Sequence, residues 1–279
     1  MIARLRPHLP LIVLVASLLI LFYRLLLGEV IFWGVPLLQF YPWREMAFGL
    51  LRRGQLPLWN PLVGNGAPLL ANYQVAVLYP PNWLNLLIPT EYAMGLIGVL
   101  HLVWGGLGMV AYLRRLGVER LGQGVGALAF ALSGYLLGRF GFLSITSTVP
   151  WLPWLMWAID GLFLASDGRE TRRRVALLAL ICGMMLLAGH AQTAAYSLTL
   201  AGAYALWRAY ALRRAGVAPL VLALGAVVLG VALAAIQLVP TLELARSSQR
   251  VGGLDREFAF TYSFSPARFL TLLMPNLFG

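Results

Sequence analysis

The chain has 279 residues, of which 60% are apolar and 11% are charged, and its mean hydropathy is +0.79. This composition excludes an ordinary soluble domain, in which about half of the residues are apolar and about a quarter are charged. The net charge of +11 does not indicate a nucleic-acid-binding protein, because the arginines cluster at the ends of apolar runs. The single cysteine, Cys182, excludes an intrachain disulfide.

Seven apolar runs approach the roughly 20 residues that a helix needs to cross a bilayer. They are Leu9–Leu27, Tyr92–Leu113, Gly122–Leu137, Val149–Ala165, Val175–Ala188, Thr193–Tyr210 and Val217–Val239. The first run lacks a signal-type cleavage site and is expected to be a retained anchor. The last run is expected to stop at Pro240. The sequence therefore predicts an all-α polytopic membrane protein, with about seven transmembrane helices in a single membrane domain over residues 1–279.

The distribution of arginines predicts the orientation, since basic residues favour the cytoplasmic side. With the N terminus inside, twelve arginines lie in inner segments and eight in outer segments. The inner set is Arg4, Arg6, Arg114, Arg115, Arg120, Arg169, Arg172, Arg173, Arg174, Arg208, Arg213 and Arg214. This orientation puts the segment 28–89 and the tail 241–279 on the same outer side, where both could contribute to one site.

The segment 28–89, here called the long loop, is the longest interval without a membrane-length apolar run. One part of it places Trp43, Met46, Ala47, Leu50 and Leu51 at helical spacing, with Arg44, Glu45, Arg52 and Arg53 on other faces. This pattern predicts an amphipathic helix that ends at Gly54 and lies either in the outer interface or on other protein. The stretch Leu84–Ile88 is too short to cross a membrane.

The tail after the seventh run is polar at first and apolar again from Pro266 to Phe278. This ending approaches a further helix and stops at Gly279. We therefore expect the sequence to be the N-terminal part of a longer protein.

Signatures of several soluble enzyme classes are missing from the sequence. It contains no GxxxxGK[ST], HExxH, CxxC, GxSxG or DxD motif, and its three histidines are widely separated. A histidine-rich metal site is therefore not predicted. No cofactor is indicated by these residues, and a requirement for a divalent metal is left open.

Polar residues at membrane depth are costly and are therefore candidates for function. Arg24, near the outer end of the first run, either snorkels to the surface or clamps a lipid phosphate. His101 either links helices or lines a site, and Asp160 is expected to reach water or an arginine. The most suggestive group combines donors and acceptors on the side of the long loop; its members are His190, Gln192 and Tyr196.

Carboxylates are few on the predicted outer side. Glu29, Glu45 and Glu243 are the candidate general bases; the alternative for Glu45 is a charge on the exposed face of the amphipathic helix. Glu243 precedes Arg250, and such a pair either lies on the surface or positions a hydroxyl or phosphate. The candidate substrate-binding residues are Arg24, Asn60, Gln74, Tyr79, His101, His190, Gln192 and Arg250.

Several motifs together resemble those of bacterial YfhO-like membrane proteins. In the long loop they are Leu38–Arg44 (LQFYPWR), Leu56–Pro61 (LPLWNP), Gly64–Leu69 (GNGAPL) and Tyr79–Asn82 (YPPN). Later pieces are His101-Leu102, Arg114–Gly117, Leu132–Tyr135, Gly189–Gln192, Leu238–Leu244 and Met274–Gly279. The resemblance covers nearly the whole chain, and members of the family are generally longer.

This family is similar to the GT-C glycosyltransferases, which transfer a sugar from a polyprenyl-phosphate carrier on the outer face of a membrane. The resemblance implies a multi-pass protein of the bacterial cytoplasmic membrane, with a long first outer loop and a cell-envelope glycan or lipid as acceptor. It implies that an outer carboxylate deprotonates the acceptor, and that Arg24 or Arg250 stabilises the departing lipid phosphate. His190, Gln192 and Asn60 would then orient the sugar.

One feature departs from the GT-C pattern. These enzymes usually carry an aspartate soon after the first span, whereas this chain reads Phe32–Pro36 there and has no aspartate before Asp160. Glu29 or Glu45 would have to substitute for it. The alternatives are a transporter or lipid flippase, and a non-catalytic scaffold for envelope assembly.

Overall fold

A computed structural model describes residues 9–212, 217–248, 260–261 and 263–278. The chain divides into two compact units between Thr241 and Leu242. In the second unit, a 3₁₀ helix spans Pro266–Leu272.

The first unit is built almost entirely from helices. They are α1 Leu9–Leu21, α2 Tyr23–Leu26, α3 Tyr41–Arg52, α4 Thr90–Arg115, α5 Arg120–Ala131, α6 Gly134–Gly138, α7 Leu143–Thr148, α8 Leu152–Phe163, α9 Gly168–Leu187, α10 Ala191–Ala211 and α11 Ala218–Arg246, whose last turns pass into the second unit. A π-helical turn (Pro36–Phe40) and three 3₁₀ helices (Tyr73–Val75, Pro80–Leu86 and Val149–Trp151) connect them. The short strands Trp59–Asn60 and Ala67–Pro68 pair antiparallel within the long loop.

The helical prediction is confirmed in its coarse form. Among the described residues, three segments are long and apolar enough to cross a membrane, namely α4, the stretch Arg120–Gly138 that holds α5 and α6, and α11. The apolar helix α1 is shorter. The chain is thus an all-α protein with membrane-length helices, whereas seven crossings stay a prediction.

The predicted end of the seventh run at Pro240 is wrong, because α11 continues to Arg246. Contacts on both sides of the proline hold the helix across it. The Gln237 amide donates to the carbonyl oxygen of Leu70 at 2.9 Å, and the Thr241 hydroxyl donates to that of Ala71 at 3.0 Å. These hydrogen bonds offset the loss of a backbone donor at Pro240.

Two other predicted runs are interrupted. The third run is divided between α5 and α6 at Ser133, whose hydroxyl oxygen caps α6 by accepting from the Leu136 amide at 3.3 Å. The fourth run begins with a 3₁₀ turn around Pro150, so that its α-helical part, α8, has 12 residues. Local capping and proline chemistry therefore subdivide apolar stretches that look continuous in the sequence.

Helix α4 lies among α1, α5 and α8, and its glycines allow these neighbours to approach closely. A methyl group added to Gly105 would lie 2.8 Å from the Phe130 ring and 3.2 Å from the backbone of Pro150. The side chain of Leu14 occupies the corresponding space beside Gly106. Small residues at helix interfaces are typical of packing in membranes, where dispersion contacts drive association.

The long loop is attached to one end of this helical assembly. The Tyr73 hydroxyl donates to the carbonyl oxygen of Leu186 at the end of α9, and Gly189 lies against the backbone of Tyr73. At the start of α4, the Tyr92 hydroxyl donates to the carbonyl oxygen of Leu25 at 2.9 Å. The loop, the ends of α2 and α9 and the part of α11 around Gln237 and Thr241 are therefore on the same side of the unit.

Replacing Gly105 by alanine should lower the free energy of unfolding by about 1–3 kcal/mol, because the backbone beside Pro150 cannot yield space for a methyl group. Gly202 is the matched control, since nothing lies within 4 Å of a methyl group placed there. Thermal unfolding in detergent would compare Gly105→Ala with Gly202→Ala. Equal midpoints for the two variants would contradict the packing at Gly105.

Candidate functional site

Helix α3 organises the long loop. Pro42 lies in its first turn, and Gly54 follows its end with φ +73°, as the sequence predicts. Its apolar face packs on other residues of the same loop, chiefly Leu69, Val75 and Val77. The sequence left open whether this face lies in the membrane interface or packs on protein. The structure shows it packed on protein.

Glu45 lies on a different face of α3 and lines a cavity of about 420 Å³. Its carboxylate accepts a 2.5 Å hydrogen bond from the Thr90 hydroxyl and lies 3.4 Å from Arg52. Arg52 also donates to the carbonyl oxygen of Asn85 at 2.6 Å, and the second carboxylate in the cavity lining belongs to Glu91. The cavity thus combines two proton acceptors with one cation.

Arg44, the neighbour of Glu45 in sequence, does not face the cavity but is buried in the protein. The sequence predicted it on a polar face, but its side chain is fully buried, which corrects that prediction. None of its three guanidinium nitrogens has a hydrogen-bond partner among the described residues. Burial lowers its pKa to about 9, an effect that the nearby Tyr79 partly opposes. The guanidinium carbon lies 5.7 Å from the centre of the Phe40 ring.

The Tyr79 hydroxyl is the centre of a buried hydrogen-bond network. It lies 2.6 Å from Nε2 of His101, and Nδ1 of that imidazole lies 2.7 Å from the carbonyl oxygen of Ile97. Since a carbonyl can only accept, Nδ1 carries the proton and Nε2 accepts from Tyr79. The Trp151 indole donates to the same hydroxyl at 2.8 Å. Burial raises the pKa of Tyr79 above its ordinary value.

Two apolar cavities neighbour the carboxylate cavity. The first, of about 520 Å³, shares Leu86 and Leu87 with the carboxylate cavity. The second, of about 410 Å³, shares Pro81, Leu100 and His101 with the first. Because neighbouring cavities share lining residues, they lie side by side along α4, from the polar cavity at Glu45 to the apolar one at Trp104. The three cavities are together called the groove.

Arg24 and Glu29 do not belong to this groove. They pair with each other on the surface, with Nη2 of the arginine 2.6 Å from Oε2 of the glutamate. Both side chains are largely exposed, so this pair has little effect on stability. Arg24 was predicted either to reach the surface or to clamp a lipid phosphate, and Glu29 was a candidate base; in the structure the two residues pair with each other at the surface.

Asn60 and Gln74 have structural contacts within the long loop. The side-chain oxygen of Asn60 accepts from the Leu62 amide at 2.9 Å, which closes the turn between the two short strands. The side-chain oxygen of Gln74 accepts from the Gln39 amide group at 2.8 Å. Neither residue lines the groove, unlike Tyr79 and His101, which were also predicted.

The predicted group at the start of α10, His190, Gln192 and Tyr196, does not form one site in the structure. His190 caps this helix, since its Nδ1 accepts from the Thr193 amide at 3.1 Å, and burial lowers its pKa. Gln192 donates to the Tyr196 hydroxyl at 2.6 Å on an exposed surface. The group nevertheless lies on the side of the long loop, as expected, because the neighbouring Gly189 contacts the backbone of Tyr73 in that loop.

Glu243 is exposed near the end of α11, and its carbonyl oxygen accepts from the Ser247 hydroxyl at 3.4 Å. Arg250, its predicted companion, lies outside the described residues. Within the described part of the chain, no group of three or more His, Cys, Asp or Glu side chains could hold a metal ion.

Sequence reasoning missed four residues that help to form the groove and its surroundings: Arg44, Arg52, Glu91 and Trp151. The two arginines look like solvated charges on an amphipathic helix, and Glu91 looks like a charge at a helix start. A usable signal was the position of Arg44 next to Phe40 and Phe48 in helical register.

Comparisons with models of protein families, with characterised proteins and with solved structures gave no match.

Replacing Arg44 by methionine should raise the free energy of unfolding by about 1–4 kcal/mol, because an apolar side chain of similar length carries no buried charge. Arg53 lies at the exposed end of the same helix, and Arg53→Met should change stability by less than about 0.5 kcal/mol. Chemical unfolding in detergent measures both. A protein destabilised by Arg44→Met would indicate that this guanidinium has a partner.

Proposed function

We propose that the protein is a membrane glycosyltransferase that transfers a sugar from a polyprenyl-phosphate carrier to a cell-envelope acceptor. The observation that carries the proposal is the groove along α4, in which a carboxylate cavity lies next to two apolar cavities. A polyprenyl phosphate changes from polar to apolar in the same way, because it has a charged head group and a long hydrocarbon chain.

The apolar part of the groove suits the tail of the carrier. Its walls include Pro81, Leu87 and Trp104, and Leu87 and Leu100 are largely exposed on the outer surface of the unit. Hydrocarbon bound there would replace lipid or water along apolar side chains, which contributes roughly 25 cal/mol per Å² buried.

The polar part suits the reacting groups. Glu45 is the candidate general base, because its carboxylate faces a cavity and already accepts a hydrogen bond from the Thr90 hydroxyl. Arg52 is the candidate partner of the departing phosphate, in place of Arg24. Arg44 would add positive potential from behind the groove, since charges that are buried are weakly screened by salt.

The proposal includes seven membrane crossings with the long loop outside. Contacts of the loop with the ends of α2, α9 and α11 and with the starts of α4 and α10 support helices of alternating direction. The short and interrupted helices would cross as parts of a packed assembly, in which neighbours satisfy the backbone at breaks.

Glu45→Gln should lower the turnover number by about 10²- to 10⁴-fold and change the Michaelis constant little, because the amide keeps the shape of the side chain and removes the proton acceptor. The assay follows labelled sugar from polyprenyl-phosphate donors to a panel of envelope acceptors. Glu119→Gln, at the start of α5, is the control and should keep full activity. A parent protein without transfer on any acceptor, or a fully active Glu45→Gln, would rule out this assignment.

The topology can be tested by labelling single cysteines, since Cys182 is fully buried and can be replaced by alanine. In that background, Arg53→Cys should react with a membrane-impermeant maleimide on intact cells. Arg173→Cys, near the start of α9, should react only after permeabilisation. The reverse pattern would contradict the proposed orientation.

A further inference from the structure

A second polar cluster lies around α8, among the arginines that the sequence places inside. The guanidinium carbons of Arg115 and Arg174 lie 4.4 and 5.6 Å from the centre of the same Trp157 ring. Both side chains also approach Gly161: a methyl group placed there would touch Nη1 of Arg115 and lie 3.2 Å from that of Arg174. Two like charges are thus held side by side over one glycine and one ring.

The acids nearby do not neutralise this cluster. Asp160 is 2.6 Å from Nη2 of Arg208 and accepts a hydrogen bond from Tyr204, and Glu170 lies 3.1 Å from Arg174. Three arginines therefore face two carboxylates. The Nε atoms of Arg174 and Arg208 have no hydrogen-bond partner among the residues that the structure describes. The cluster has an excess of positive charge and unused donors.

An apolar cavity of about 370 Å³ adjoins this cluster. On α9, Arg174, Leu178 and Cys182 follow one another at intervals of four residues and so share a helix face, and the last two line the cavity. Ile159, next to Asp160 on α8, lines it as well. The arginine cluster therefore lies about one helical turn from the apolar cavity.

The cavity opens between α10 and α11 toward the outside of the unit. Gly202 and Leu206 on α10 and Leu224 on α11 line it and are exposed. Trp207 is exposed beside the opening, and the guanidinium carbon of Arg208 lies 5.8 Å from its ring centre. Tryptophan and arginine at one level of a helix are typical of a membrane–water interface.

We infer that this cluster and cavity bind an anionic phospholipid of the bilayer, with its phosphate at Arg115 and Arg174 and an acyl chain in the cavity. Charge complementarity identifies the head group, since basic pockets between membrane helices on the cytoplasmic side favour acidic lipids. The apolar lining and the lateral opening of the cavity suit an acyl chain of that lipid. The site is separate from the groove at Glu45 and does not depend on sugar transfer.

The test titrates dioleoyl-phosphatidylglycerol and dioleoyl-phosphatidylcholine into the purified full chain in neutral detergent, with bound lipid counted by native mass spectrometry. Phosphatidylglycerol should bind at least about tenfold more tightly, since one charged hydrogen bond corresponds to about that factor. Arg174→Gln should remove the preference. Arg173→Gln, one residue away and exposed, should keep it.

A separate variant tests the binding of the acyl chain in the cavity. Gly202→Leu adds an apolar side chain to the cavity lining at a position where nothing lies within 4 Å of its first carbon, and it should weaken binding of both lipids. Gly225→Leu on α11 is the matched control, since it too meets nothing within 4 Å and does not line the cavity. Equal binding of the two lipids by the parent, unchanged binding by Gly202→Leu, or inorganic phosphate binding as tightly as phosphatidylglycerol would each overturn the inference.

Discussion

The Tyr79 hydroxyl is the point at which three separate parts of the chain are joined. It belongs to the long loop, donates to His101 in the middle of α4 and accepts from Trp151 before α8. All three side chains are buried, where an unmade hydrogen bond would cost about 1–3 kcal/mol. The network therefore fixes the depth at which the loop lies on the helices, and with it the wall that His101 and Tyr79 give to the groove.

The sequence predicts the helical parts of this fold well where apolar runs are long and uninterrupted. The run Tyr92–Leu113 lies within α4, Thr90–Arg115. Prediction fails where a local feature competes with hydropathy, as at Ser133, whose hydroxyl starts a new helix. It fails in the other direction at Pro240, where contacts distant in sequence keep α11 continuous. Such contacts are invisible to any reading of neighbouring residues.

The site was harder to predict, and its residues show why. Tyr79, His101 and Glu45 were expected and do line the groove, but Arg44 was assigned to a polar face because charged residues on amphipathic helices usually face water. An α-helix turns about 100° per residue, so Arg44 and Glu45 point in different directions. Which direction leads to solvent is decided by the packing of the loop, and hydropathy alone does not contain that information.

The two polar clusters have different consequences for the molecule. Around Asp160, two short-range ion pairs offset part of the positive charge of three arginines, so the cluster is compatible with a stable helix end. Among the residues that the structure describes, Arg44 has no such partner, and a buried cation without one is strongly unfavourable. Tyr79, with which it interacts electrostatically, forms part of the wall of the groove. An anion in the groove would therefore act on a positive charge that has no hydrogen-bond partner among the described residues.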